Sequence, residues 1–284
     1  MQWFPAPGKL NLLLHVVGRR EDGYHLLQTV FRLIDRCDRV GIAVRTDGEL
    51  RRLDTLSGVP PESDLCLRAA RRLKTHALER FGDEARSLGA DIALDKVLPI
   101  GGGLGGGSSD AATVLLALNR LWEVGLTRGE LLELARTLGA DVPLFVFGEN
   151  ALGEGIGDEL TALSLGPAWY VVLDPQVHVS TREIFSDPTL TRNSKRLKIP
   201  PFFPGLGRND LEPVAEARYP VVAAHLSWLK QFRTDARMSG SGACVFAEFA
   251  TREQARDVQA RVPETMRSFV ARGLERHPLY DWVD

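Results

Sequence analysis

The chain has 284 residues, 44% of them hydrophobic and 25% charged, with a formal net charge of −2. That composition predicts one large or two ordinary folded domains with a sizeable core, and neither the charge nor any basic stripe suits a surface that tracks nucleic acid. Three widely spaced cysteines and six histidines show no C-x-x-C or H-x-x-x-H spacing, and no apolar run reaches membrane-span length, so a reduced cytoplasmic protein without disulfides, structural zinc or a membrane anchor is expected.

Residues 9–17 form a near-continuous apolar run, which predicts a buried strand. Asp22-Gly23 marks a turn before a second β-rich run. "RVGIAVRTDGELRRL" predicts a hairpin about Asp47-Gly48. "PPESDLCLRAARRLKTHALERFG" predicts a helix, with Ser63 or Asp64 at its start and Gly82 after its end. "ADIALDKVLPI" predicts a strand. A glycine loop, "PIGGGLGGGSSD", follows and leads into the apolar helix "SSDAATVLLALNRLW". Thr127 and Glu130 form a capping box for another helix, which Gly139 ends, and "ADVPLFVFGEN" reads as a short loop entering a strand.

Glycines 153, 155 and 157 loosen the next segment. The second half opens on the strand "AWYVVLDP", then a short helix about Ile184, a Pro-rich stretch over 198–210 and a helix over Leu211–Lys230. "MSGSGACVFAEF" is a second glycine loop and strand, and "TREQARDVQARV" a last helix. A boundary near 153–166 gives domains of 1–157 and 158–284. The basic clusters "RRLDTLSG" and "LRAARRLK" read as solvated faces.

Six of the seven residues from Gly101 to Gly107 are glycine. Ordering such a loop is entropically expensive. In return, backbone N–H groups approach a ligand closely, and the helix that follows adds orphan donors and a partial positive charge. Together these predict a phosphate site, where Ser108 and Ser109 cap the helix, donate to phosphate or ligate Mg2+. A Walker A loop is excluded because Ser108 stands where its lysine belongs. Gly101, Gly103 and Gly106 match G-x-G-x-x-G, but the acid at the right distance, Glu123, lies between two helices and not at a strand end.

"LPIGGGLGGGSSDAA" resembles the ATP-phosphate motif of the GHMP kinase superfamily. "PAPGKLNLLLHVVGRREDGYH" and "MSGSGACVFAEF" resemble its N- and C-terminal motifs, so the likeness covers residues 5–249. The Gly-Tyr-His element resembles a branch that phosphorylates an alcohol carrying cytidine diphosphate. The resemblance implies an α+β fold of two domains, the first like ribosomal protein S5 domain 2 and the second ferredoxin-like, with the active site between them. It implies ATP with Mg2+, a small-molecule substrate, neither nucleic acid nor membrane as partner, and a monomer or weak homodimer. Two alternatives stand beside this: a kinase of another small alcohol, and a non-catalytic ATP sensor on the same fold, against which Lys9 and Asp141 argue.

Residue by residue, the resemblance makes Lys9 and Asp141 catalytic, Asp141 as the base toward the acceptor hydroxyl. ATP falls to Pro99, Ile100, Gly101, Gly102, Gly103, Leu104, Gly105, Gly106, Gly107, Ser108 and Ser109, with Lys96 near adenine. Asp64 stands where an asparagine is usual; an ionised carboxylate only accepts, so helix capping competes with base contact there. Asn11 alternates onto the face of Lys9 in a regular strand and contacts substrate. Tyr24 and His25 form the cytosine element, Phe185 the opposing ring and Thr181 a polar contact. Ser108 or Asp110 stands open as the Mg2+ ligand. Ser239–Gly242 closes the site, and Asn209-Asp210 matches a family element without an assigned role.

Overall fold

The structure, a computed structural model, describes residues 1–54, 60, 62–202 and 205–283. Parts of the "RRLDTLSG" cluster and of the Pro-rich stretch lie outside the described residues. The chain runs β1 (Gln2–Arg19), β2 (His25–Arg45), β3 (Leu50–Arg52), α1 (Leu65–Phe81), β4 (Gly89–Asp95), α2 (Gly106–Leu121), α3 (Arg128–Arg136) and α4 (Val142–Phe147). Then come β5 (Ala151–Glu154), β6 (Glu159–Ala162), β7 (Trp169–Asp174), α5 (Thr181–Ser186), α6 (Glu212–Arg218), α7 (Pro220–Lys230), β8 (Arg237–Met238), β9 (Val245–Phe249), α8 (Arg252–Gln259) and β10 (Arg267–Arg272).

The first sheet has six strands. β1 pairs with β2, and the path β3-β4-β2-β5-β6 carries the rest. The hairpin expected about Asp47-Gly48 does not form. β4 pairs antiparallel to β2 and takes the place beside it, and β3 joins β4 in parallel instead. The Gly48 N–H goes to Ser87 O and the Ala90 N–H to Glu49 O, so the turn is tied to the residues around β4 and not to its own return strand.

Asp64 caps α1 with its side chain, and Gly82 ends it in a positive-φ conformation. The Thr127–Glu130 capping box is complete, though α3 ends at Arg136 and not at Gly139. "VPLFVF" is helix α4, not a loop and strand. Proline fits a first helical turn and Gly148 supplies the left-handed cap, while five consecutive residues from Val142 to Val146 are buried. A run buried on every side has no periodicity from which to tell helix from strand. The helix expected over Leu211–Lys230 divides at Pro220, which lacks an N–H and pushes Tyr219 out of helical geometry.

The β5–β6 hairpin pairs within the first sheet as far as Ala162, so a division at 157/158 falls in its turn. The second sheet is antiparallel, in the order β10-β7-β9-β8. β10 carried no sequence signal.

Helix α2 is the axis of the first core. Every residue from Ser109 to Asn119 is buried, packed among apolar side chains of α1, α4 and the sheet. A separate core underlies the second sheet, built on α6, α7 and α8. A third joins the two halves: Leu10, Leu13, Val30 and Ile34 from the first sheet meet Tyr170, Val172 and Phe246 from the second, with Leu98 just before the glycine loop and Leu104 within it. The site therefore sits where both sheets contribute to one interior. No helix among the described residues is long and apolar enough to cross a membrane.

Candidate active site

A cleft of about 1180 Å3 opens at this junction. Lys9, Asn11, Thr29 and Phe31 form its floor, from β1 and β2. Gly101, Gly103, Ser108 and Asp141 line one side, Tyr24, His25 and Phe185 another, and Gly240, Ser241 and Gly242 reach in from the second half.

Lys9 is 3% exposed. Its ammonium donates to Asn11 Oδ1 at 2.5 Å and lies 3.5 Å from Asp141 Oδ2. Asn11 is fixed in turn: its amide donates to Thr29 Oγ1 at 2.8 Å, and Thr29 donates to Leu13 O at 2.6 Å. The alternation expected of Lys9 and Asn11 holds because Gly8 to Asn11 pair without interruption between two register shifts of β1, at Pro7/Gly8 and Asn11/Leu13. Asp141 precedes α4 but makes no side-chain capping bond. With side-chain exposure of 36% against 3% for Lys9, its carboxylate is open to a substrate proton.

The two glycine loops interlock. Ser239 Oγ accepts from the Asn11 N–H at 3.2 Å and donates to Gly103 O at 2.9 Å. The Cys244 N–H donates to Gly102 O at 3.1 Å. Asn209 donates to Met238 O and Gly240 O, both at 2.8 Å, and Asp210 Oδ2 accepts from the Val16 N–H at 2.8 Å. The Asn-Asp pair thus staples the second loop to β1.

Not every glycine serves a ligand. A Cβ on Gly103, whose φ is +75°, lies 2.1 Å from Ser239 O, so the contact between the loops requires its absence. Around Gly107 the space is open, with Leu65 Cδ1 nearest at 3.8 Å. Helix α2 begins at Gly106, within the glycine run, and Gly105 precedes it in a left-handed conformation with no side chain to cap the helix. The expected capping by Ser108 or Ser109 is absent, so the first-turn N–H groups are left for a ligand.

Several expected nucleotide contacts lie elsewhere. Asp64 Oδ1 accepts from the Cys66 and Leu67 N–H groups and Oδ2 pairs with Arg52 at 2.5 Å, so capping and an ion pair occupy it. Lys96 does not line the cleft; its ammonium is shared between Asp38 and Asp110. Ser109 and Asp110 are buried, and Ser109 Oγ and Asp110 Oδ1 lack partners among the described residues. Burial pushes the Asp110 carboxyl up to about 7, against the pull of Lys96 and helped by Asp38. Pro99, Leu104, Gly102, Gly105, Gly106 and Gly107 shape the loop without lining the cleft, and Ile100 is exposed.

On the opposite wall Tyr24 is exposed, while the His25 ring itself stacks on Phe185 at 4.9 Å. His25 thus holds the place against Phe185 that a base was expected to take. Arg192 Nε donates to His25 Nε2 at 3.2 Å, which puts the imidazole hydrogen on Nδ1. Burial first, then Arg192 and Arg19, hold the His25 pKa below its ordinary value. Thr181 Oγ1 and Ser241 Oγ are 2.8 Å apart. Thr29, Phe31, His178 and Arg192 carried no sequence signal: each comes from an element whose pattern reads only as packing or loop.

Mg2+ is usually held by substrate phosphates, water and one or two protein oxygens. Among the described residues no three His, Cys, Asp or Glu gather as a metal group. Ser108 faces the cleft and Asp110 faces Lys96, so of the two candidates only Ser108 fits a phosphate-bound ion.

Residues 64–149 match the family described as GHMP kinases N terminal domain, and residues 202–268 the one described as GHMP kinases C terminal. The 4-diphosphocytidyl-2-C-methyl-D-erythritol kinase of Thiobacillus denitrificans is 61% identical over 282 residues, covering 99% of each chain. That of Nitrosospira multiformis is 57% identical, covering 99% of this chain and 94% of its own. A crystal structure of 4-(cytidine 5'-diphospho)-2C-methyl-D-erythritol kinase superposes with a TM-score of 0.79 at 32% identity, covering 96% of this chain and 99% of that one. Methanococcus jannaschii mevalonate kinase shares the fold, with a TM-score of 0.65 at 14% identity over 96% of this chain and 98% of its own.

Proposed function

The chain belongs to the GHMP kinase family, and on that premise we propose that it transfers the γ-phosphoryl group of ATP to the C2 hydroxyl of 4-diphosphocytidyl-2-C-methyl-D-erythritol. The product is the 2-phosphate, an intermediate of the methylerythritol phosphate route to isoprenoid precursors. The single observation that carries this reading is the buried Lys9 ammonium beside Asp141, between the start of α2 and the wall formed by Tyr24, His25 and Phe185.

Phosphoryl transfer asks for positioning and charge neutralisation more than covalent help. The triphosphate lies along the glycine loop, against the free first-turn N–H groups of α2. Ser108 would be the protein oxygen that holds Mg2+ together with the phosphates, and the ion would supply charge neutralisation there. Asp141 takes the proton as the C2 oxygen attacks the γ-phosphorus. The bond from that phosphorus to the bridging β–γ oxygen breaks, and ADP leaves with the electron pair. Lys9, beside the Asp141 carboxylate, orients it by charge and offsets charge on the group in flight. Asn11 and Thr29 keep Lys9 from turning away.

The cytidine end meets Tyr24, the His25–Phe185 stack and the polar pair Thr181–Ser241. Arg19, Arg182, Arg192 and His178 line the same cleft and complement a diphosphate. The adenine contact proposed for Lys96 requires the ammonium to leave Asp38 or Asp110. The domains proposed are an N-terminal unit through the β5–β6 hairpin and a C-terminal unit beyond it. A cytoplasmic monomer or weak dimer is proposed. The reading is tested by ATP consumption with Mg2+, which must depend on the cytidyl substrate and fail with other small alcohols.

A further inference from the structure

Beneath the glycine loop lies a charged cluster that the reaction itself does not use. Asp38, near the middle of β2, is 0% exposed. Its Oδ1 accepts from the Val97 N–H at 2.6 Å and the Leu98 N–H at 2.7 Å, the residues that lead into the loop. Its Oδ2 accepts from Lys96, whose ammonium also donates to Asp110 Oδ2 at 2.6 Å in the second turn of α2. One buried carboxylate therefore touches the loop's entrance directly and its exit through Lys96. The fit is close: a Cβ on Gly106 would stand 3.2 Å from both Asp38 Oδ2 and Lys96 Nζ.

Leu98 and Leu104 fix the same loop by apolar packing. That burial sets how deep the loop sits but not the directions of its N–H groups, because apolar contact is non-directional. Hydrogen bonds at both ends supply direction. A phosphate cradle depends on direction, since its donors must point at oxygens that are not there until the nucleotide binds.

We propose that Asp38 is a positioning residue for the nucleotide: it clamps both ends of the glycine loop so that the first-turn N–H groups of α2 are aimed before ATP arrives. Asp38 does not line the cleft and touches neither substrate. The proposal rests on the reading of this loop as the triphosphate site. It predicts an effect confined to the nucleotide, because the opposite wall, with Tyr24, His25 and Phe185, shares no contact with the cluster.

The test compares Asp38→Ala and Asp38→Asn with the wild-type chain. Alanine removes every bond of the clamp but leaves Lys96 paired with Asp110, so no buried charge is stranded. Asparagine keeps an oxygen for Val97 and Leu98 and loses the bond from Lys96. Calorimetric titration with the Mg2+ complex of a non-hydrolysable ATP analogue should show Kd raised about ten-fold or more in Asp38→Ala and by less in Asp38→Asn. KM for the cytidyl substrate should stay within about two-fold of wild type, as expected for a separate site. Unchanged analogue affinity in Asp38→Ala, or equal weakening of both ligands, overturns the proposal. If the alanine variant fails to fold, the same split must appear in Asp38→Asn, and its absence there is equally decisive. A wild-type chain that does not bind the analogue overturns the loop reading itself.

Discussion

Lys9 Nζ lies 3.5 Å from Asp141 Oδ2 although the two residues come from a strand and a helix start 132 positions apart. The lysine is buried and the aspartate is half open, so the pair joins a fixed cation to a carboxylate that a substrate can reach. Asp141→Asn keeps the size and removes the base. Turnover should fall about 10²–10⁴-fold, with KM for both substrates little changed. Steady-state kinetics checks this, and unchanged turnover removes Asp141 from its role.

The glycines of the loop divide by cause, and two substitutions separate them. Gly103→Ala puts a methyl against Ser239 O at a left-handed position, so it should cost at least about 1–2 kcal/mol of stability, read by denaturant unfolding. Gly107→Ala has open space in a helical first turn and should leave stability equal or higher, by up to about 1 kcal/mol. Gly107 does not line the cleft, so the ATP KM of this variant should stay within about two-fold of wild type, while Gly103→Ala should raise it by displacing the loop. A large rise in ATP KM for Gly107→Ala places the phosphate nearer that residue than the cleft does.

Tyr24→Ala removes an exposed ring that has no structural partner comparable to the Phe185–His25 stack. Stability should hold while KM for the cytidyl substrate rises, by about 1–3 kcal/mol of lost stacking. An unchanged KM places the base elsewhere in the cleft.

His277 gives a pH dependence independent of the site. It is 2% exposed, its Nδ1 accepts from the Leu279 N–H, and its Nε2 has no partner among the described residues. Burial first, then Arg128, pushes its pKa down to about 3. A folded pKa below the unfolded value of about 6.5 contributes stability that is present above pH 6.5 and lost as pH falls toward 3. The stability advantage of wild type over His277→Asn should therefore shrink below pH 6.5, by up to about 1.4 kcal/mol per pH unit. Parallel curves between pH 5 and 7 show that His277 is not held neutral.

Much of this was legible in the sequence where local chemistry decides. The Asp64 cap, the Thr127–Glu130 box, α2 and the glycine loop all rest on neighbours within a few residues. The failures are tertiary. "VPLFV" is buried throughout and carries no period, and the return strand at Asp47-Gly48 lost its place beside β2 to β4, which begins only at Gly89. In the site, motif resemblance names Lys9, Asn11, Asp141, Tyr24 and His25, and the structure brings all five to one cleft. Asp64, Lys96 and Asp110 lie away from that cleft, Asp64 in the capping role that competed with base contact, because a motif position does not say which way a carboxylate or ammonium turns. Asp38 was invisible: an acid in a strand becomes meaningful only when Val97, Leu98 and Lys96 fold over it.

The central claim is tested most directly by proton-coupled 31P NMR of the product formed from Mg2+, ATP and 4-diphosphocytidyl-2-C-methyl-D-erythritol. C2 carries a methyl group and no hydrogen. Transfer to C2 gives one new phosphomonoester per ADP released, its resonance unsplit by a neighbouring carbinol proton. A split resonance, which places the phosphate on another hydroxyl, or ATP consumption without any new ester, contradicts it.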